Sequence, residues 1–380
     1  MDGARQRKTK TCVIGVFDTE ADPDISFDSE GVCNYYYEYL NRVKDRVEEN
    51  PSPHLLPKLA ERISDRNNGP GHNCILGVSG GVDSAYLAFC AVRLGLKPLL
   101  VHLDNGWNSE LAVKNIEQLA SKLNLDLVTH VLDWHEFKNL QVAFLRASTP
   151  HGEIPTDHAI RSTLIKTSQK YGIRTILSGT NVITEGIMPP SWSYGHLDWK
   201  YIRGVHDQYS KGNQLRSYPH MSLGDYMRAL IVHKIRFLSL LNYMKYDKDE
   251  AKVLLQEELD WKDYGGKHFE STYTKYYQGY LLPKKFNIDK RKAHLSALIY
   301  SGQISRTEAL AELRNPPYPE YEAERDAEYV RKKLGLSEKE YARIMNATIK
   351  SHRDYPNNEE LQSRFRMGLA FLRKNRLYDK

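Results

Sequence analysis

The most chemically specific stretch of the chain is Ser79-Gly80-Gly81-Val82-Asp83-Ser84. It follows a short apolar run, Asn73 to Val78, and leads into a segment, Ser84 to Leu94, that reads as a helix ending at Gly95. Glycines let a backbone approach an anion closely and adopt φ values that other residues avoid. The start of a helix adds unpaired amides and the positive end of the helix dipole. Ser79 and Ser84 add hydroxyl donors. Together these features describe a phosphate-binding loop. Asp83 would repel a bare phosphate, so the pattern calls for Mg2+ between the two, with Asp83 as its carboxylate. The bland alternative is a glycine-rich strand-to-helix turn, and the complete Ser-Gly-Gly-x-Asp-Ser pattern in its context weighs against it. A Walker A loop is excluded, because no Gly-x4-Gly-Lys-Ser/Thr occurs. The dinucleotide fingerprint Gly-x-Gly-x-x-Gly is absent from this segment as well.

Two further groups carry charge that could meet phosphate. Lys267 and His268 lie in a glycine-rich turn, and Lys284, Lys285, Lys290, Arg291 and Lys292 follow a proline as a basic cluster. Taken alone, the cluster reads rather as a solvated basic surface.

The elements that must position these residues alternate. Strands are expected at Asn73–Val78, Pro98–Leu103, Leu125–Leu132 and Arg174–Leu177. Helices are expected at 84–94, 110–123 and 162–171, with Gly172 closing the last. This order predicts an α/β fold, a parallel twisted sheet with helices on both faces, and ligands at the carboxyl ends of its strands. Residues 1–50 read as a separate N-terminal piece with short strands at 13–17 and 25–27, a turn at Asp22-Pro23-Asp24 and a helix from Tyr35 to Glu48. Residues 51–72 read as a linker, 73–220 as the sheet domain, and 221–380 as a helical addition that completes the substrate site. Helices there are expected at 223–243, 248–259, 291–301, 306–313, 322–334 and 338–349. Residues 187–220 read as an ordered loop region.

An apolar fraction of 41% and a charged fraction of 27% with mixed signs fit a folded, soluble chain. The net charge is only +6, and the one basic run, Arg5 to Lys10, reads as a solvated tail, so no nucleic-acid partner is expected. No membrane-spanning stretch and no signal peptide are expected. Four cysteines argue against a disulfide framework and point to the cytoplasm. Cys74 and Cys90 lie in apolar runs and read as core residues, so no glutaminase nucleophile is recognised.

The loop resembles the PP-loop of the N-type ATP pyrophosphatases, which holds the pyrophosphate end of ATP while an acceptor oxygen is adenylated. The resemblance extends further. Asp22-Pro23-Asp24-Ile25, Gly31-Val32-Cys33-Asn34, Thr184-Glu185-Gly186-Ile187-Met188-Pro189, Tyr264-Gly265-Gly266-Lys267-His268, Gln278-Gly279-Tyr280 and the run from Pro283 to Ser296 look like the N-acetyl sugar amidotransferases. These segments span most of residues 12–312. The resemblance implies ATP and Mg2+ as cofactors and, beside the loop, His102 and Asp104 near the adenosine and Gly179, Thr180 and Asn181 as a second glycine-bearing loop. It implies conversion of an acetamido group of a nucleotide sugar into an acetamidino group, in bacterial surface polysaccharide synthesis. It implies catalytic roles for Asp83, Lys267 and Glu185, the last orienting ammonia or holding Mg2+, although Glu185 also reads as a helix-start carboxylate. His268, Lys284, Lys285 and Arg291 become substrate or phosphate ligands. Ammonia is expected from a class I glutaminase subunit, with a barrel-type companion. A PP-loop enzyme that modifies tRNA and a non-catalytic nucleotide-binding protein are the competing readings.

The family also carries two Cys-x2-Cys pairs that make a tetrahedral zinc site. Here Cys12 and Cys33 keep one cysteine of each, while Gly15 and Tyr36 stand in the other two positions. Two cysteines rarely close a zinc site, so a zinc-free remnant packed by Tyr35, Tyr36 and Tyr37 is expected.

Overall fold

A computed structural model describes residues 9–47, 54–67, 71–210, 212–266 and 269–374. The basic run at 5–8 therefore lies outside the described residues, as do Lys267 and His268.

The chain opens with a knuckle at residues 11–33, then α1 (Asn34–Arg46) and α2 (Leu55–Asp65). The sheet unit follows as β1 (Cys74–Gly77), α3 (Val82–Arg93), β2 (Pro98–Asp104), α4 (Glu110–Lys122), β3 (Leu127–Val131), α5 (Trp134–Ala147), α6 (Ile154–Tyr171), β4 (Thr175–Leu177), α7 (Val182–Glu185), α8 (Trp199–Tyr209), α9 (Leu223–Ile231), β5 (Arg236–Leu238) and α10 (Lys248–Leu259). The C-terminal part contains α11 (Thr272–Tyr276), a π-helical turn at Tyr277–Leu281, α12 (Leu282–Phe286), α13 (Arg291–Tyr300), α14 (Arg306–Leu313), α15 (Glu320–Lys333), α16 (Glu338–Asn346) and α17 (Glu359–Lys374). No helix among the described residues is long and apolar enough to cross a membrane.

The five strands are all parallel, in the order β3-β2-β1-β4-β5. Side chains alternate across the sheet as strand geometry requires. Cys74, Leu76, Leu100 and Leu177 join a core with α3, α4 and α10, whereas Ile75, Leu99, Val101 and Ile176 join one with α6 and α9. Helices therefore cover both faces, as the strand–helix alternation predicts. A third core unites the knuckle and α1 with α5, α8, α11, α12, α13, α15 and α16.

Several expectations need correction. Residues 13–17 form bends closed by a Thr11–Asp18 bridge, and 25–33 contribute only a Phe27–Cys33 bridge, so neither makes a strand. The expected linker contains α2, whose Ala60 and Ile63 bury against the sheet core. The expected loop region contains α8, capped by Asp198. The single helix expected at 223–243 breaks after Ile231. There the β-branched pair Ile231-Val232 precedes Lys234 at φ +55°, and the chain enters the sheet as β5. The helical addition thus begins after a strand that belongs to the sheet.

Candidate phosphate-binding site

Strand order reverses between β1 and β4, and in such sheets the crevice at that point binds ligands. Both glycine-bearing segments emerge there, Ser79–Ser84 from β1 and Ser178–Asn181 from β4. They touch: a Cβ on Gly179 would lie 3.2 Å from the Ser84 amide nitrogen.

The loop is shaped by its neighbours. Gly80 has φ +84°, and a Cβ there would lie 2.5 Å from the Ala112 carbonyl oxygen in α4. Its own carbonyl accepts from Trp261 Nε1 at 2.9 Å and from Asn115 Nδ2 at 3.4 Å. Asn115 also exchanges hydrogen bonds with the Lys262 backbone at 2.9 and 3.0 Å. The Gly81 amide donates to Ser79 Oγ at 3.3 Å, the Ser79 amide to Ser84 Oγ at 3.5 Å, and Ser84 Oγ to the Gly81 carbonyl at 3.1 Å. Gly81 is the N-cap of α3, so the loop does open the helix as expected.

Asp83 accepts a hydrogen bond from the Tyr246 hydroxyl. Burial, then the charge of Asp83 and more weakly that of Glu185, holds this phenol well above its usual range. It stays a donor, and the two predicted carboxylates share its surroundings. The Val82 amide donates to the Tyr264 hydroxyl oxygen at 3.3 Å. Tyr264 is raised by burial and by the charge of Glu270. Glu270 Oε1 would stand 3.6 Å from a Cβ on Gly81. Residues 261–264 and 270–271 thus strap the loop from both sides of the glycine-rich turn. The far end pairs with the β2 exit: Ser109 N donates to the Glu270 carbonyl at 2.9 Å, and Asn108 bridges Ser271.

Of the other predicted residues, His102 bonds the Val78 carbonyl through Nδ1 at 2.9 Å and Asn108 through Nε2 at 3.0 Å. A carbonyl only accepts, so Nδ1 carries the hydrogen. Asp104 Oδ1 accepts from the Gly106 amide and from Asn108 Nδ2, at 2.8 and 3.3 Å. Thr180 Oγ1 lies 2.9 Å from Ser178 Oγ and 3.1 Å from Ser239 Oγ. Asn181 caps α7, which carries Glu185.

The basic cluster is engaged elsewhere. Exposed Lys284 donates to Tyr280 at 2.8 Å. Lys285, pushed down to about 8 by burial, donates to the Ile344 carbonyl. Arg291 is held by Asp289 at 2.7 Å and donates to the Glu312 and Asn315 carbonyls at 3.3 and 3.0 Å. Lys290 pairs with Glu153 at 3.0 Å, and Lys292 with Asp18. Apart from Lys284, these cations tie separate parts of the fold together. Their sequence spacing shows clustering but not the carboxylates that meet them in the fold. Cys74 and Cys90 are pushed up by burial to about 12 and about 11, which fits core thiols.

Sequence reasoning missed Tyr246, Tyr264, Glu270, Asn115 and Trp261. Tyr264 and Glu270 flank the glycine-rich turn at 265–266, which was the available signal. Tyr246 had none.

Residues 270–369 match the model of the C-terminal domain of WbpG-like LPS biosynthesis proteins. The resemblance read from the sequence is thereby supported over that part of the chain. No curated protein matches the chain. Among solved structures, NMN synthetase from Francisella tularensis is similar at 16% identity, covering 55% of this chain and 95% of that one with a TM-score of 0.28. The NH3-dependent NAD synthetase from Campylobacter jejuni shows 16% identity, coverage of 59% and 86%, and a TM-score of 0.28. A predicted tRNA methyltransferase subunit from Methanocaldococcus jannaschii shows 17% identity, coverage of 48% and 74%, and the same TM-score of 0.28. A likeness at that level says nothing of this chain's chemistry.

Proposed function

We propose that the chain is an ATP-dependent, AMP-forming amidotransferase that converts the acetamido group of an N-acetylated nucleotide sugar into an acetamidino group. The observation that supports this most is a junction. The WbpG-like match begins at Glu270, and Glu270 stands beside Gly81 while Ser271 pairs with Asn108. A phosphate loop and a segment matched to LPS biosynthesis proteins meet at one place.

An amide carbonyl is a poor electrophile. Transfer of AMP from ATP forms a bond between the amide oxygen and the α-phosphorus and breaks the α–β bridge, releasing PPi. Ammonia then adds to the imidate carbon, and AMP leaves with the former amide oxygen. The loop amides and hydroxyls would bind the pyrophosphate end, and the Tyr246 hydrogen bond would orient Asp83 toward it. Among the described residues no group of three or more His, Cys, Asp or Glu could hold a metal. Mg2+ asks for less, since one or two carboxylates plus phosphate oxygens suffice, and Asp83 fits that need. When bound, Mg2+ supplies charge neutralisation at the phosphate oxygens. Glu185 would orient ammonia or hold Mg2+, and Lys267 is assigned the cation on sequence grounds. Ammonia from a class I glutaminase subunit with a barrel-type companion completes the reading.

The test incubates the protein with ATP, Mg2+, ammonium and a panel of acetamido nucleotide sugars. The expected result is AMP together with a product lighter by the difference between O and NH. AMP formation without that product overturns the amidination, and no AMP with any acceptor overturns the adenylation.

A further inference from the structure

The knuckle at the N-terminus holds a second cluster with its own chemistry. Cys12 and Cys33 have no exposed surface. Cys12 Sγ accepts from the Gly15 amide at 3.4 Å and from the Cys33 amide at 3.3 Å, so the two cysteines lie side by side. A tetrahedral zinc site would need two more ligands, from positions 15 and 36. The structure leaves position 15 no room for a side chain, and position 36 holds a tyrosine instead of a thiolate. The Tyr300 hydroxyl, from α13, lies 3.6 Å from Cys33 Sγ. A Cβ on Gly15 would fall 2.2 Å from that hydroxyl oxygen, 2.9 Å from Tyr300 Cζ and 3.1 Å from Ser296 Oγ. Any side chain at position 15, a cysteine included, collides with Tyr300. Tyr36 packs edge-on against the same ring, with centroids 5.0 Å apart, and Tyr39 lies at 5.5 Å.

The cross-linking that a metal would provide is also present in another form. The Val16 amide donates to Ser296 Oγ at 3.1 Å. Arg306 donates to the Gly15 and Cys12 carbonyls, at 3.0 Å each. The first turn of the knuckle, residues 12–16, is thus fastened to α13 and α14.

We infer that Tyr300 takes the place of a zinc ion: its ring and hydroxyl fill the centre of the Cys12–Cys33 knuckle, Gly15 is the glycine this requires, and the chain folds without metal there. The paired features are Gly15 with Tyr300, and Tyr36 packed edge-on beside them.

The test uses the full chain, purified without chelator. Zinc is measured by elemental analysis and by release to a chromogenic chelator after a mercurial titrates the thiols. The expected result is zinc far below one equivalent and a thermal midpoint that EDTA does not move. About one zinc per chain, with a midpoint that falls when it is removed, would overturn the inference. Tyr300→Phe should lower the midpoint with zinc content unchanged, and a midpoint identical to the parent counts against the hydroxyl's role. The triple variant G15C/Y36C/Y300A restores four thiols and clears the centre. Grown with cobalt, it should gain about one ion per chain and a thiolate charge-transfer band. A folded triple variant that binds no cobalt counts against the geometry. If that variant does not fold, the zinc content of the parent and the Tyr300→Phe midpoint decide.

Discussion

Two glycines with nearly the same backbone angle offer a matched test of why the phosphate loop has its sequence. Gly80 has φ +84° and Gly95 has φ +79°. Alanine at either position must adopt a left-handed conformation, which costs about 1–2 kcal/mol. The surroundings differ. A Cβ at Gly95 meets nothing within 4 Å, whereas one at Gly80 would lie 2.5 Å from the Ala112 carbonyl oxygen and 3.0 Å from Ala112 Cα. Both atoms belong to the backbone of α4, so the loop must move instead. Forcing such an overlap costs about 1–3 kcal/mol. Movement also strains the hydrogen bonds from Trp261 and Asn115 to the Gly80 carbonyl, worth about 1 kcal/mol each. Gly80→Ala should therefore destabilise by about 3–6 kcal/mol and Gly95→Ala by about 1–2 kcal/mol. Urea unfolding followed by far-UV circular dichroism reads both. AMP formation should separate them further, since an ångström-scale displacement of a binding group costs about a hundredfold in rate. Gly95→Ala should keep full activity. Equal losses of stability in the two variants would refute the packing argument and leave only the backbone angle.

Asp83→Asn retains an oxygen for the Tyr246 hydroxyl, so its unfolding midpoint should match the parent while AMP formation drops about a hundredfold or more. An active Asp83→Asn enzyme would remove Asp83 from the chemistry. Tyr264→Phe frees the Val82 amide for phosphate. Because such a hydrogen bond is worth about 1 kcal/mol, ATP should bind about fivefold tighter by calorimetry, and weaker binding would instead make Tyr264 part of the ligand's cradle. Burial pushes His151 down to about 3 and His158 down to about 4. Their folded values lie below the unfolded one, so their contribution to stability is complete above pH ~6.5 and is lost as pH falls toward those values. Urea midpoints should imply a loss of about 2 kcal/mol per histidine between pH ~6.5 and ~5, and a flat profile there would show that both rings accept a proton in the fold.

The sheet was legible because each of its buried strands is a short apolar run followed by a turn and a helix. The turn at 79–84 was legible as the opening of a helix because its glycines and serines stand between an apolar run and a helical one. What was not legible shares one property: it depends on partners distant in sequence. β5 looked helical because Leu223 to Tyr243 is broadly apolar, and only pairing with β4 makes 236–238 a strand. α6 reaches back to Ile154, but its buried face includes His158, Ser162, Thr163, Thr167 and Ser168, which carry no apolar stripe. The resemblance made Arg291 and Lys285 substrate or phosphate ligands, and a sequence hides the Asp289 carboxylate and Ile344 carbonyl that meet them in the fold. Gly15 read as a missing cysteine, and the side chain that requires it lies at position 300.

The strap formed by residues 261–264 and 270–271, together with β5, bears on how this architecture can be rearranged. The sheet is completed by residues 236–238, and the loop at 79–84 is braced by residues 261–264, both downstream of Leu177, where the strand–helix alternation read from the sequence ends. A chain cut near 220 would expose the edge of β4 and release the Gly80 carbonyl from Trp261. The C-terminal region is therefore not a cassette that recombination can exchange at its boundary. Any productive crossover has to fall before β5 and bring the strap with it, so that the C-terminal region and the brace of the loop at 79–84 are inherited as one unit.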